Sequence, residues 1–120
     1  MTLSRGEIVV ARLNPNQGQE IGKLRPVIIL TQTRLIEAGL PVIFVVPLST
    51  QYRPELGAFR VEIPARDHLL KTSFALLEQA RAIDKSRIDV QVLSHLSPAE
   101  LQQIETKLSL MLGLHAHFAN

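Results

Sequence analysis

The chain contains no cysteine, so it offers no disulfide, no thiolate metal site and no cysteine nucleophile. Aromatic residues are only 4% of its 120 residues, which argues against extensive base stacking on aromatic platforms. No stretch of about eighteen apolar residues occurs, so no membrane-spanning helix is expected. The N-terminal MTLSRGEIVV has no basic segment followed by an apolar stretch and a small-residue cleavage site, and is not a secretion signal. The common phosphate-loop, dinucleotide, zinc-protease and serine-hydrolase signatures are all missing. His68, His95, His115 and His117 form no clear ligand set, and no metal or cofactor is expected. These absences leave a cytoplasmic protein without membrane attachment as the expectation.

What is present points to a folded body. Hydrophobic residues make up 46% of the chain, too many for a disordered segment. The length suits one domain over residues 1–120. The net charge of +2 conceals an asymmetry. Residues 1–87 hold 12 Lys/Arg against 8 Asp/Glu, a balance of +4, while residues 88–120 hold 1 against 3, a balance of −2. A basic body permits a polyanionic partner without demanding one.

The pattern of elements is mostly β. Glu7 to Leu13 is β-branched and apolar, and reads as a strand. Pro26–Thr31 and Val42–Leu48 are continuous apolar runs, expected for strands buried on both faces. Thr33 to Gly39 suits one or two helical turns stopped by Gly39. Phe59–Ile63 alternates strictly, Ser73–Gln79 and Arg81–Asp84 extend the set, and Asp84–Arg87 suits a turn or short helix. Ser97-Pro98-Ala99-Glu100 has the spacing of a capping box with proline at the first helical position. Leu101, Ile104, Leu108, Met111 and Leu112 then recur at helical spacing up to Gly113, a stripe for the core or for a subunit interface. Short strands closed by one C-terminal amphipathic helix predict a small, mostly antiparallel barrel.

The candidate functional residues gather at strand ends. Asn14 to Leu24 is a polar loop of about eleven residues, longer than a usual connection, and such loops are often functional. It carries Glu20 and runs into Arg25-Pro26, where the proline keeps Arg25 on extended backbone at the mouth of a strand. Ser49 and Thr50 follow the strand Val42–Leu48, and Glu78, Gln79 and Arg81 lie close together further on. Arginine offers a two-pronged contact to phosphate, hydroxyls donate to the same oxygens, and Gln79 suits a base edge.

Taken in order, RGEI, a P-x-x-G-x-E-x-G-x-x-RPV segment, VVPLST and LLEQARAIDKSRI resemble the MazF/PemK toxin family from Arg5 to about Gly113. The resemblance implies an SH3-like (PemK/CcdB-type) barrel, a homodimer, and sequence-selective, metal-independent cleavage of single-stranded RNA restrained by a partly disordered antitoxin. It places the catalytic arginine at Arg25 and the catalytic hydroxyl at Ser49, where the family has threonine. It places Glu20 and Gln79 near the RNA groove, and Thr50, Glu78 and Arg81 stand beside them as candidate substrate contacts by residue type. The loop departs from the family at Ile21, where a polar residue is usual, so the family's cut-site sequence does not transfer.

The chemistry stands apart from the resemblance. RNA is most readily cut without metal by its own 2′-hydroxyl attacking the adjacent phosphorus in line. A protein must then offset charge on the phosphoryl oxygens, remove one proton and supply another. Arginine suits the first task and is a poor proton acceptor. Either positioning and electrostatics dominate, or a carboxylate such as Glu20 or Glu78 assists. Two other functions share the sequence pattern: a CcdB-like toxin that acts on DNA gyrase by protein contact, and a barrel that binds nucleic acid without cutting it. The protein-directed toxin has no need of a phosphate clamp.

Overall fold

The computed structural model describes residues 3–14, 18 and 23–114. Seven strands and two α-helices account for most of them: β1 (Glu7–Arg12), β2 (Leu24–Ile29), α1 (Thr33–Glu37), β3 (Val42–Ser49), β4 (Arg60–Ile63), β5 (Ser73–Leu76), β6 (Arg81–Asp84), β7 (Ile88–His95) and α2 (Pro98–Met111). The strands pair antiparallel in the order β4-β5-β3-β2-β1-β7, and β6 also pairs with β3. The long strand β3 is the hub. It takes β6 along Val42–Val45 and β5 at Leu48–Ser49, while β2 lies against Val45–Pro47. The result is a mostly antiparallel sheet with a C-terminal helix, compatible with the small barrel that the pattern of elements predicts although the strand order does not close.

The continuous apolar runs are explained by burial on both faces of the central strands. One face carries Val9, Ala11, Val27, Ile29, Ile43 and Val45, joined by Ile83 and Ile88. The opposite face carries Ile8, Ile28, Val46 and Leu48, covered by Val61, Ile63, Ala75 and Leu77 with Ile104 of α2. Side chains alternate along a strand, so β1, β2 and β3 each feed both apolar layers. Each fully buried Val, Leu or Ile contributes roughly 1.5–3 kcal/mol of transfer free energy.

Helix α2 is fixed at its N-terminus by the expected capping box: Glu100 N–H donates to Ser97 Oγ at 3.1 Å, and Ser97 N–H donates to Glu100 Oε1 at 2.8 Å. Only Ile104 of its apolar stripe is fully buried, and Met111 and Leu112 remain exposed. Gly39 and Gly113 adopt φ of 96° and 75°, a region favouring glycine, and end the two helices.

Two elements depart from the pattern expected for the chain. The segment 73–79 splits into β5 and a 3-10 turn, Leu77–Gln79. Strand β7 went unread, although Ile88, Val90 and Val92 alternate with Asp89 and Gln91. Its register against β1 shifts twice, at Ile8/Val9 and at Val9/Val10. Val92 packs against the first apolar layer and Leu93 against the second, as alternation requires, while the bulges leave β7 residues without a partner on β1.

Candidate functional site

Arg25 is the second residue of β2, half-buried, and lies opposite Ala11 of β1. Ser49 is the last residue of β3, half-buried, and lies opposite Phe74 of β5. The two come together through register. Strands β2 and β3 pair Ile28 with Val46 and Val27 with Pro47, and continuing that count outward sets Arg25 level with Ser49. Arg25 shares the alternation of Val27 and Ile29, and Ser49 shares that of Val45, so both side chains rise from the same face. Arg81 shares that face, pairing with Val45 four residues before Ser49, and its Nη1 donates to Leu13 O at 3.3 Å.

The remaining candidates are not all brought to this centre: Glu78 lines the apolar groove beside α2, with Leu108 and Met111. The Ser49 hydroxyl accepts a hydrogen bond from Gln51 N–H at 3.2 Å, which fixes the turn leaving β3. Thr50 is exposed at that turn. Gln79 is half-buried in the 3-10 turn between β5 and β6. Glu78 beside it is engaged: its two oxygens accept from Arg60 Nε at 3.0 Å and Nη2 at 2.6 Å. Arg60 is 8% exposed, so this pair holds a guanidinium that is nearly removed from water. Glu20 lies outside the described residues, as do His115 and His117.

Three contributors were not legible in the sequence. Tyr52 packs on Phe74 with ring centroids 5.1 Å apart, which puts an aromatic pair beside Ser49. The positions were visible, but only strand pairing brings them together. Asn14 and Arg87 also meet here, where Arg87 Nη1 donates to the Asn14 carbonyl at 2.7 Å. On the same edge, Ser86 donates to the Asp84 carboxylate with its side chain and with its backbone N–H at 2.8 Å, holding the carboxyl below its usual range.

The arrangement presents arginine, hydroxyl and carboxamide groups at one end of β2, β3 and β6, with an aromatic pair at its border. The chain matches, over residues 4–112, the family described as PemK-like, MazF-like toxin of type II toxin-antitoxin system. This protein belongs to the PemK/MazF toxin family. An endoribonuclease MazF of Staphylococcus saprophyticus subsp. saprophyticus is 32% identical over 114 residues, covering 94% of this chain and 93% of the relative. Among solved structures, MazF of Deinococcus radiodurans superposes with a TM-score of 0.80 at 23% identity, covering 94% of this chain and 98% of that one. A MazE–MazF complex from the same organism gives 0.73 at 22% identity, covering 94% and 97%. These likenesses place the sheet, α2 and the strand ends described above within the PemK/MazF fold.

Proposed function

We propose that this PemK/MazF toxin is a sequence-selective endoribonuclease that cuts single-stranded RNA in the cytoplasm through attack of the RNA's own 2′-hydroxyl. What supports the reading is that Arg25 and Ser49 each lie two residues beyond the Val27–Pro47 pair at the same end of β2 and β3, with the alternation of one face. A two-pronged guanidinium there stabilises the charge that builds on phosphoryl oxygens. The Ser49 hydroxyl donates to the same group and restricts its rotation. Thr50, Gln79 and Arg81 line the approach and hold the flanking nucleotides. Arginine stays protonated in proteins, so removal of the 2′-hydroxyl proton falls to a carboxylate. Glu20 is the candidate, since Glu78 is tied to Arg60 and lines the apolar groove beside α2; the carboxyl that takes the 2′-hydroxyl proton then returns one to the 5′-oxygen as it leaves.

Two partners complete the proposal. The first is an antitoxin with an acidic segment that occupies the Arg25 surface in place of phosphate, as suits a family that works in toxin–antitoxin pairs. The second is another copy of this chain. An apolar groove of about 680 Å³, lined among others by Leu35, Leu40, Phe44, Leu108, Met111 and Leu112, is left uncovered by the described residues. Phe44 is 57% exposed and Leu112 is 70% exposed, and a homodimer through this face would cover both.

The deciding experiment incubates the protein with a long single-stranded RNA in EDTA and maps the new ends. Expected are cuts at a restricted set of sites, with 2′,3′-cyclic phosphate and 5′-hydroxyl termini. Intact RNA from a folded, antitoxin-free protein sinks the nuclease reading and moves weight to a protein-directed toxin. Simultaneous binding of antitoxin and RNA without competition would refute the shared-surface model.

A further inference from the structure

The loop between β1 and β2 leaves the sheet at Leu13 and Asn14 and returns at Lys23, and these ends are tied together. Leu13 N–H donates to the Lys23 carbonyl at 2.8 Å, and Lys23 N–H donates to Asn14 Oδ1 at 2.9 Å. Lys23 has φ of 68°, a left-handed conformation that residues with a side chain seldom adopt without local support. The Asn14 carboxamide supplies that support. Two arginines from across the sheet then fix consecutive carbonyls at the same point. Arg81 Nη1 donates to Leu13 O at 3.3 Å, and Arg87 Nη1 donates to Asn14 O at 2.7 Å.

Arg25 follows Lys23 by two positions. The place where β2 begins therefore sets where the Arg25 guanidinium stands relative to Ser49. Asn14 is exposed and Arg87 half-buried, and neither belongs to the two apolar layers, so their bonds do little for the core. We propose that Asn14 and Arg87 are positioning residues for RNA cleavage, fixing the start of β2 through the Lys23 backbone so that Arg25 meets the scissile phosphate. The inference rests on the nuclease reading and adds to it a reason for an arginine that faces a backbone carbonyl. It also gives Arg81 a hold on Leu13 in addition to its place at the groove.

A positioning role and a direct phosphate contact make different demands. Misplacing a catalytic group slows chemistry, whereas losing a phosphate contact weakens binding and lowers its salt dependence. The test compares wild type with Asn14→Ala, Arg87→Ala, Arg87→Lys and the double alanine variant. Single-turnover rates are measured on an RNA spanning a mapped cut site. Affinity is measured across salt concentrations for the same RNA with 2′-deoxyribose at that site. Each alanine variant is expected to cut about ten- to a hundredfold more slowly, with affinity and salt slope near the wild-type values. The double variant should be no slower than the slower single one, because both act on one turn of backbone. Arg87→Lys should recover much of the rate, since one ammonium N–H suffices for one carbonyl.

Two outcomes overturn the inference while leaving the nuclease reading intact. One is full-rate cleavage by folded Asn14→Ala and Arg87→Ala proteins. The other is weaker binding by Arg87→Ala with a salt slope reduced by about one, which would make Arg87 a phosphate contact. A wild-type protein that cuts no RNA removes both readings together. Circular dichroism and thermal midpoints guard against a folding defect in any variant.

Discussion

At the scale of single residues, the strongest expectations concern Arg25 and the two hydroxyls after β3. If Arg25 meets transition-state charge in a partly dry groove, Arg25→Ala should slow single-turnover cleavage by about 10²–10³, or roughly 3–4 kcal/mol. Arg25→Lys should recover little, because a point ammonium lacks the planar fork. Ser49→Ala should also slow cleavage, while Ser49→Thr keeps the hydroxyl and most of the rate. Thr50→Ala should have a smaller effect, since Thr50 lies past the end of β3 and touches the flanking nucleotides instead of the reacting phosphate. Normal cutting by Ser49→Ala beside a dead Thr50→Ala would move the hydroxyl role one position along. Glu78 separates stability from binding. Glu78→Ala strands the buried Arg60 guanidinium, and urea unfolding should show a loss on the order of 3 kcal/mol. Unchanged stability with weakened RNA binding would instead make Glu78 a substrate contact. Arg25 was legible in sequence because Pro26 fixes its backbone and a long loop precedes it. The tie of Arg87 to Asn14 was not, because it depends on contact between residues remote in the chain.

At the scale of elements, the sequence was most informative where a local rule decides the outcome. The capping box at Ser97 and the boundaries of β6 needed no tertiary information. The split of β5 from its 3-10 turn and the double register shift of β7 did, since they arise from pairing with strands elsewhere. Helix α2 adds a contact that the capping box alone does not announce. Glu100 also accepts from Arg66 Nη1 at 2.6 Å and Nη2 at 2.5 Å, pinning the β4–β5 connection to the helix start. That guanidinium, assisted by the Ser97 bonds, holds the Glu100 carboxyl below its usual range. A carboxyl depressed on folding contributes stability above its unfolded pKa of about 4.3, and the contribution fades as pH falls through the lower folded value. Glu100→Gln should therefore be less stable than wild type near neutrality, and the two unfolding curves should converge in acid, below about pH 4. A stability gap that stays constant into acid would mean the pair is maintained by packing and neutral hydrogen bonds.

At the scale of the whole molecule, the groove between α1, β3 and the end of α2 is the face through which we propose that two copies assemble. The apolar stripe of α2 begins against the core at Ile104 and runs outward to Met111 and Leu112, where the described residues give it no cover. An exposed phenylalanine on a strand and an exposed leucine just past a helix, facing one cavity, cost solubility unless something packs on them. A second copy meets that need and also widens the narrow platform that one small sheet offers to an RNA strand. Sedimentation at micromolar protein should then give twice 13.4 kDa for the wild type. Phe44→Glu and Leu112→Glu each place a charge in the proposed contact, where burial without a partner is strongly unfavourable. Both should shift the protein towards monomer, and Leu112→Glu should do so with little change in folding, because Leu112 lies beyond the last residue of α2. If RNA spans both copies, cleavage should fall in step with the dimer fraction as the protein is diluted. A wild-type monomer that cuts at full rate would refute the assembly, and dimers that persist in both charged variants would place the interface on another face.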